Sequence, residues 1–241
     1  MSRKQEFKER RRRAAARNRA LSIGLVVVVA VLLVLVVVWP NLNRANVSSV
    51  TAVPTLAGRP PMKANGMGSP DAPARLDVWE DFQCSGCLHF TENEEPKIIQ
   101  QLVATGKVYY TFHFFPFIDG GKGESQDSAN AAMCASAQGR FWDYHDILFA
   151  NWIGENAGSF TPPRLVVFAE KIGLDMTAFN ACYQTDKYAN VIQQDLQAGK
   201  QHGVQATPGI FVNDKRVVSQ AGPNYIPSVE EIAQAIAATG Q

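Results

Sequence analysis

The sequence predicts an α/β domain whose strand–helix–strand opening is separated from its closing strands by a helical block, all preceded by one membrane-spanning helix. Three observations predict it. An uncharged run occupies residues 21–39. A Cys-x-x-Cys motif, Cys84-Ser85-Gly86-Cys87, lies between a strand-like and a helix-like segment. About eighty residues of helical character then intervene before β-type sequence returns at Gly209.

The net charge of +1 hides an asymmetry. Residues 1–20 hold nine Lys/Arg, including Arg10–Arg13, against Glu6 and Glu9, a net of +7 that leaves about −6 for the remainder. Such a block suits a nucleic-acid arm in isolation. The run that follows, LSIGLVVVVAVLLVLVVVW, argues against nucleic acid. Its roughly 19 residues span about 28 Å as a helix, close to the thickness of bilayer hydrocarbon. Lipid offers the backbone no hydrogen bonds, so even a valine-rich segment becomes helical there. Trp39 suits the interface, and the basic flank puts residues 1–20 in the cytoplasm and residues 40–241 outside. A cleaved signal peptide is the alternative; the apolar run is long for one, and no small-x-small site follows it. Both readings export the rest of the chain to a compartment where disulfides persist.

Residues 40–62 are rich in Pro, Ser, Thr, Ala and Asn and read as a tether holding the domain off the membrane. From residue 63 onward the chain reads as one domain. Asn65-Gly66 and Gly68-Ser69-Pro70 mark turns, and Ala74–Phe82 is a buried strand. A helix runs from Cys87 to Ala104 with an interruption at Pro96. Lys107–Phe115 is aromatic, bounded by Pro116, and a second strand. The inserted helical block, about 119–202, opens with a helix capped by Ser125 or Asp127 and broken near Gly139. Pro162–Gly173, Met176–Gln184 and Tyr188–His202 continue it. Gly209–Val212 and Arg216–Ser219 form a hairpin around Asn213-Asp214-Lys215, and Ser228 caps a final helix.

The cysteines carry the chemistry. Cys84 just before the first helical turn has unpaired N–H groups and the positive helix end to favour its thiolate, the species active in exchange. Cys87, one turn on, is placed to resolve. Ser85 and Gly86 add no cation, so any thiolate stabilisation comes from the helix terminus and local hydrogen bonds. A zinc site needs two further ligands, and Cys134, Cys182, His89, His113, His145 and His202 show no ligand spacing. A purely structural disulfide would close too small a ring to stabilise much. Cys134 and Cys182 are expected to pair with each other as a structural bridge; two separate buried thiols are the alternative.

Three segments carry a family resemblance. Asp81-Phe82-Gln83-Cys84-Ser85-Gly86-Cys87 resembles the active-site segment of DsbA-like proteins of the thioredoxin superfamily. Gly203–Asn213, containing Thr207-Pro208, is similar to that family's cis-proline loop, and Gln138–His145 resembles a helix of its inserted domain. The resemblance implies a thioredoxin fold with a helical insertion and a cis Thr207–Pro208 bond facing the cysteines. It also implies that Thr207 pairs with extended substrate and that Cys84 forms the mixed disulfide. Two departures bear on oxidising strength. A Glu that the family often carries six residues before the first cysteine, as a buried proton acceptor, is here Val78; Asp77, Glu80 and Asp81 are nearby, but strand alternation does not guarantee that any of them reaches Cys87. A His between the cysteines is here Gly86.

The expected function is therefore an exocytoplasmic dithiol oxidase, acting on exported proteins with free cysteines and, by family analogy, reoxidised by a quinone-linked membrane partner. No metal or organic cofactor is implied. A reductase or isomerase of the same fold is one alternative, and a non-catalytic binding or chaperone module is another.

Overall fold

A computed structural model describes residues 24–29, 31–32, 50–53, 58–120 and 123–239. It divides into residues 1–49 and 50–241. In the first unit the described residues are helical and exposed. Most of the expected span 21–39 lies outside the described residues, and among those described no helix is long and apolar enough to cross a membrane.

The second unit is built on a six-stranded mixed sheet of order β1-β2-β4-β3-β5-β6. Its strands are β1 Met62–Lys63, β2 Gly66–Met67, β3 Ala74–Glu80, β4 Val108–Phe114, β5 Gly209–Val212 and β6 Lys215–Arg216. β3 and β4 pair in parallel, Ala74 opposite Val108 through Glu80 opposite Phe114. β5 lies antiparallel on the other side of β3, with Trp79 opposite Gly209. The crossover between β3 and β4 is α1 Ser85–Asn93 followed by α2 Glu95–Ile98, which continues as a π-helical turn over Ile99–Val103. Pro96 sits in the first turn of α2, where its missing N–H costs nothing, so the break falls at Glu94.

The inserted block comprises α3 Glu124–Ser136, α4 Phe141–Ala150, α5 Pro162–Lys171, α6 Met176–Tyr183 and α7 Ala189–Gln201; α8 Val229–Ala237 closes the chain. Gly139, at φ +72°, makes the break between α3 and α4. Ser228 accepts from the Glu231 N–H while the Glu231 carboxylate accepts from the Ser228 N–H, a complete capping box. A disulfide joins Cys134 on α3 to Cys182 on α6.

Strand alternation sorts the core into two layers. Leu76, Val78 and Glu80 of β3, with Tyr110, Phe112 and Phe114 of β4, face the large cluster that includes Phe141, Trp142 and Phe149 of α4. Trp79, Phe115 and Phe211 face the opposite side, with Leu196 of α7 and Val204. There His113 stacks on Trp79 at 4.4 Å and donates to Asp195 of α7 at 2.8 Å and to Asp77 of β3 at 3.0 Å.

Four expectations change. The tether is shorter than residues 40–62: Val50 and Val53 pack on the core, Thr51 and Asn151 exchange two hydrogen bonds, and Arg59 pairs with Asp146 at 2.8 Å. Spacing apolar residues among Pro and Thr leaves no period to read, yet each still has a surface to cover. Around Asn65-Gly66, expected only as a turn, residues 62–67 form a hairpin whose second strand borders β4. The last strand is Lys215–Arg216 rather than 216–219, because Asn213 and Asp214 both take positive φ in a two-residue turn. Ser125 does not cap α3 either; Gly123 holds that position, and the Ser125 hydroxyl is committed to Asp81.

Replacing Cys134 and Cys182 with Ala releases a 48-residue separation and is expected to cost about 3–4 kcal/mol of unfolding free energy in denaturant. The His113 clamp has the opposite character to a carboxylate. Burial disfavours its charge, but the hydrogen bonds to Asp195 and Asp77 outweigh this and raise its pKa to about 9. Its contribution is whole below about pH 6.5 and is lost as pH rises through 9, and is on the order of 2–3 kcal/mol. Urea unfolding of wild type and His113→Gln should therefore converge between pH 7 and 10; a constant difference would refute the clamp.

Candidate functional site

Cys84 is the N-cap residue of α1, at φ −71° and ψ 122°, so the first N–H groups of the helix converge on its side chain. Both cysteines are reduced. Cys84 Sγ is 3.3 Å from the Thr207 carbonyl oxygen, and the Thr207–Pro208 bond is cis. The two cysteines and Thr207-Pro208 thus form one site from segments more than a hundred residues apart, brought together by the β3–β5 register. Gly86 explains itself here: a Cβ on it would lie 3.2 Å from the Thr207 carbonyl oxygen and 3.5 Å from Cys84 Sγ. A side chain here would require the Thr207 carbonyl to give way by a few tenths of an ångström.

The thiols differ sharply. Cys84 is held down at about pH 6 by a hydrogen bond from the Cys87 thiol; burial opposes this, while Thr207 and the N–H groups of Cys87 and Gly86 assist. Cys87 is fully buried, and burial first, then its bond to Cys84 and the charge of Glu80, push it well above an ordinary thiol. One group of the pair is a thiolate at neutral pH and the other a thiol.

Glu80, which the sequence offers only as one of three nearby carboxylates, is the acid that reaches the cysteines. It is 1% exposed at the end of β3, within hydrogen-bonding reach of Cys87. Burial, and then the neighbouring Glu95, raise its carboxyl well above the usual range. The family's position is Val78, but Val78 and Glu80 are two residues apart on one strand and share a face. Period two was signal enough to find it.

Behind Glu80 lies a buried polar chain. Tyr110 Oη is 3.3 Å from Glu80 Oε1 and 3.0 Å from Glu95 Oε1. His145 Nε2 stands 3.8 Å from Glu95 Oε1, and its Nδ1–H donates to Asp146, which also holds Arg59. Glu80, Glu95 and His145 bring ligand-type atoms within 4.8 Å of one another. His145, weighed at the sequence level as a zinc ligand, is thus beside the cysteines' buried neighbour, whereas His113 is in the α7 clamp. His89 is exposed and bonded to Asn93.

The insertion is fastened to the motif. Buried Gln83 donates to Asp119 and Ser125 and accepts from the Asn156 N–H, and its carbonyl accepts from Trp152 Nε1. Asp81 accepts from Phe117, Ile118 and Ser125. Glu155 accepts from the Ser85 N–H and hydroxyl, occupying an N–H of the α1 terminus.

Residues 63–236 match a family model described as Thioredoxin. Disulfide bond formation protein D of Bacillus subtilis is 28% identical over 187 residues, 76% of this chain and 80% of that protein. Na(+)/H(+) antiporter NhaA 3 of Salinispora tropica is 32% identical over 149 residues, 62% of this chain; the match spans only 21% of the antiporter's length. Among solved structures, oxidised BdbD from Bacillus subtilis superposes with a TM-score of 0.62 at 24% identity, covering 78% of this chain and 96% of that one. Chlamydia trachomatis DsbA gives 0.60 at 25% identity, covering 79% and 96%.

In the reduced protein, thiolate absorbance should titrate in one step near pH 6 and vanish in Cys84→Ser. A first step near pH 9, as for a free thiol, would contradict the site's electrostatics.

Proposed function

The chain belongs to the thioredoxin family, and on that premise we propose that it is a thiol–disulfide oxidoreductase working as a dithiol oxidase on exported proteins. The stabilised Cys84 thiolate carries the direction. Lowering a thiol from the usual 9 to about 6 favours the reduced enzyme at pH 7 by about 1.4 kcal/mol, or roughly 30 mV toward oxidation for this two-electron couple. The Bacillus subtilis relative's name, a disulfide bond formation protein, supports the same direction.

In the reaction a substrate thiolate attacks Cys84 Sγ of the oxidised pair. The new S–S bond forms as the Cys84–Cys87 bond breaks, and Cys87 leaves with the electron pair. Because the Cys87 thiol is so weak an acid, the leaving thiolate takes up a proton at once, and Glu80 is the group in reach. A second substrate thiolate then attacks the substrate sulfur of the mixed disulfide. Cys84 leaves as a stable thiolate, and the substrate has lost two electrons to the enzyme dithiol. Thr207 and Pro208 form the wall opposite Cys84, where the exchanging sulfur is held against extended substrate.

The apolar run 21–39 and its basic flank support a single-pass anchor, with the N-terminus cytoplasmic and this domain outside. A membrane partner linked to quinone would return the pair to the disulfide. No nucleic acid, metal or organic cofactor enters this reading.

The Cys84/Cys87 potential measured against glutathione decides the direction. A value near −120 mV supports the oxidase; one around −270 mV, close to thioredoxin's, makes the chain a reductase or isomerase. Cys84→Ser is expected to abolish oxidation of a reduced protein substrate. Full activity in that variant would leave only a binding module.

A further inference from the structure

Tyr110 has one hydroxyl proton and two buried carboxyl neighbours, Glu80 and Glu95. It can donate to only one of them. With both carboxyls ionised, one contact would set lone pair against lone pair with no water to intervene, so at least one carboxyl holds a proton. Burial is the first cause holding both above the usual range. With the Glu80 proton committed to Cys87, its neighbour, the remaining donors run in one sense: Glu95 O–H to Tyr110 Oη, Tyr110 O–H to Glu80 Oε1.

From this geometry, which rests on the redox reading of the cysteines, we propose that Glu95 and Tyr110 are positioning residues of a buried proton relay that supplies Cys87 through Glu80. When Cys87 leaves as a thiolate, three protons shift in the same direction. Glu80 gives its proton to Cys87, Tyr110 gives its proton to Glu80, and Glu95 gives its proton to Tyr110. One proton is transferred in net terms, no heavy atom needs to move, and the negative charge passes from Cys87 to Glu95. Reoxidation reverses the shift.

The surroundings fix where the charge comes to rest. Burial, Glu95 from α2 and Cys84 at the cap of α1 disfavour the ionisation of Glu80, and they outweigh the hydrogen bonds from Tyr110 of β4 and Cys87 of α1, which favour it. Glu95 faces Tyr110 from β4, His145 and Asp146 from α4, and Arg59 ahead of β1. His145 and Arg59 favour its charge, whereas Asp146 opposes it. The chain's end nearest solvent lies here: the Arg59 and Asp146 side chains are 7% and 11% exposed, whereas His145 is fully buried. The 3.8 Å between His145 and Glu95 is too long for a hydrogen bond, so His145 acts on Glu95 through charge and dipole.

The test is the rate at which a small dithiol opens the Cys84–Cys87 disulfide of the full chain, compared at equal reductant thiolate concentration across pH 6–9. In wild type the rate falls as pH rises through the titration of Glu95. Glu95→Gln keeps a donor to Tyr110 but has no acidic proton, so its rate is expected to be roughly tenfold lower and flat with pH. Tyr110→Phe cuts the chain and behaves alike, while thiolate absorbance of Cys84 stays near wild type in both. Glu95→Asp restores the slope. A Glu95→Gln protein with the wild-type rate and profile overturns the relay and leaves Glu95 a packing residue. Should the variants fold poorly, wild type alone decides: rates in mixed light and heavy water curve when several protons move, and a straight one-proton dependence overturns the proposal. A stoichiometric metal removable by chelator, with a shifted profile, would also overturn it and make Glu80, Glu95 and His145 a metal centre. Failure of wild type to exchange with dithiol at all would instead sink the oxidoreductase reading.

Discussion

The contact between Cys84 Sγ and the Thr207 carbonyl is the point on which the site depends, and it is a product of sheet register. Trp79 pairs with Gly209, so Pro208 is delivered to the edge of the sheet where β3 ends and α1 begins. Slipping β5 by one residue would turn the buried side chains of Ile210, Phe211 and Val212 over and carry Thr207 away from the cysteines. The same register explains why residue 86 has no side chain to spare. A Cβ at Gly86 would make a tight 3.2 Å contact with the Thr207 carbonyl oxygen.

The helical insertion stabilises this junction from the other side. Gln83 is wholly buried and uses its amide and its backbone carbonyl on Asp119, Ser125, Asn156 and Trp152, all from the insertion or the approach to it. A buried amide left with half its partners would be costly, so the insertion and the motif hold each other in place. The disulfide between α3 and α6 and the His113 clamp onto α7 act further out, tying the insertion to itself and to the sheet. Rigidity at Cys84 is thus distributed over contacts that a list of catalytic residues omits.

Much of this was legible in the sequence because it rests on local periodicity. β3, β4, β5, the Gly139 break and the Ser228 cap all follow from residue spacing and capping chemistry. What was not legible depends on tertiary partners. Two-residue strands such as Gly66–Met67 have no period, and only pairing along the edge of β4 makes them strands. Ser125 is a plausible cap by type, but a buried carboxylate on Asp81 competes for its hydroxyl and wins. Val50 and Arg59 belong to the domain because a core face and Asp146 await them, about a hundred positions away. Glu80 is a different case. Matching by fixed offset pointed to Val78, whereas the physical requirement is only a carboxyl on the inward face near the strand's end, and an offset shorter by two meets it.

Both departures from the family pattern now have a physical reading. A His between the cysteines stabilises a thiolate by charge, which Gly86 cannot do. Here the Cys84 thiolate relies on the Cys87 thiol, the helix N–H groups and the Thr207 neighbourhood, and these suffice to hold it near pH 6 against its own burial. Each of those donors is neutral, so the site adds no positive charge that would draw a proton off Glu80. A cation beside the cysteines would stabilise Glu80 as a carboxylate and weaken it as a donor to Cys87. Relying on neutral hydrogen bonds keeps the thiolate and the buried acid compatible within one turn of helix. The nearest cations, Arg59 and whatever charge His145 carries, lie instead at the far end of the polar chain, beside Glu95.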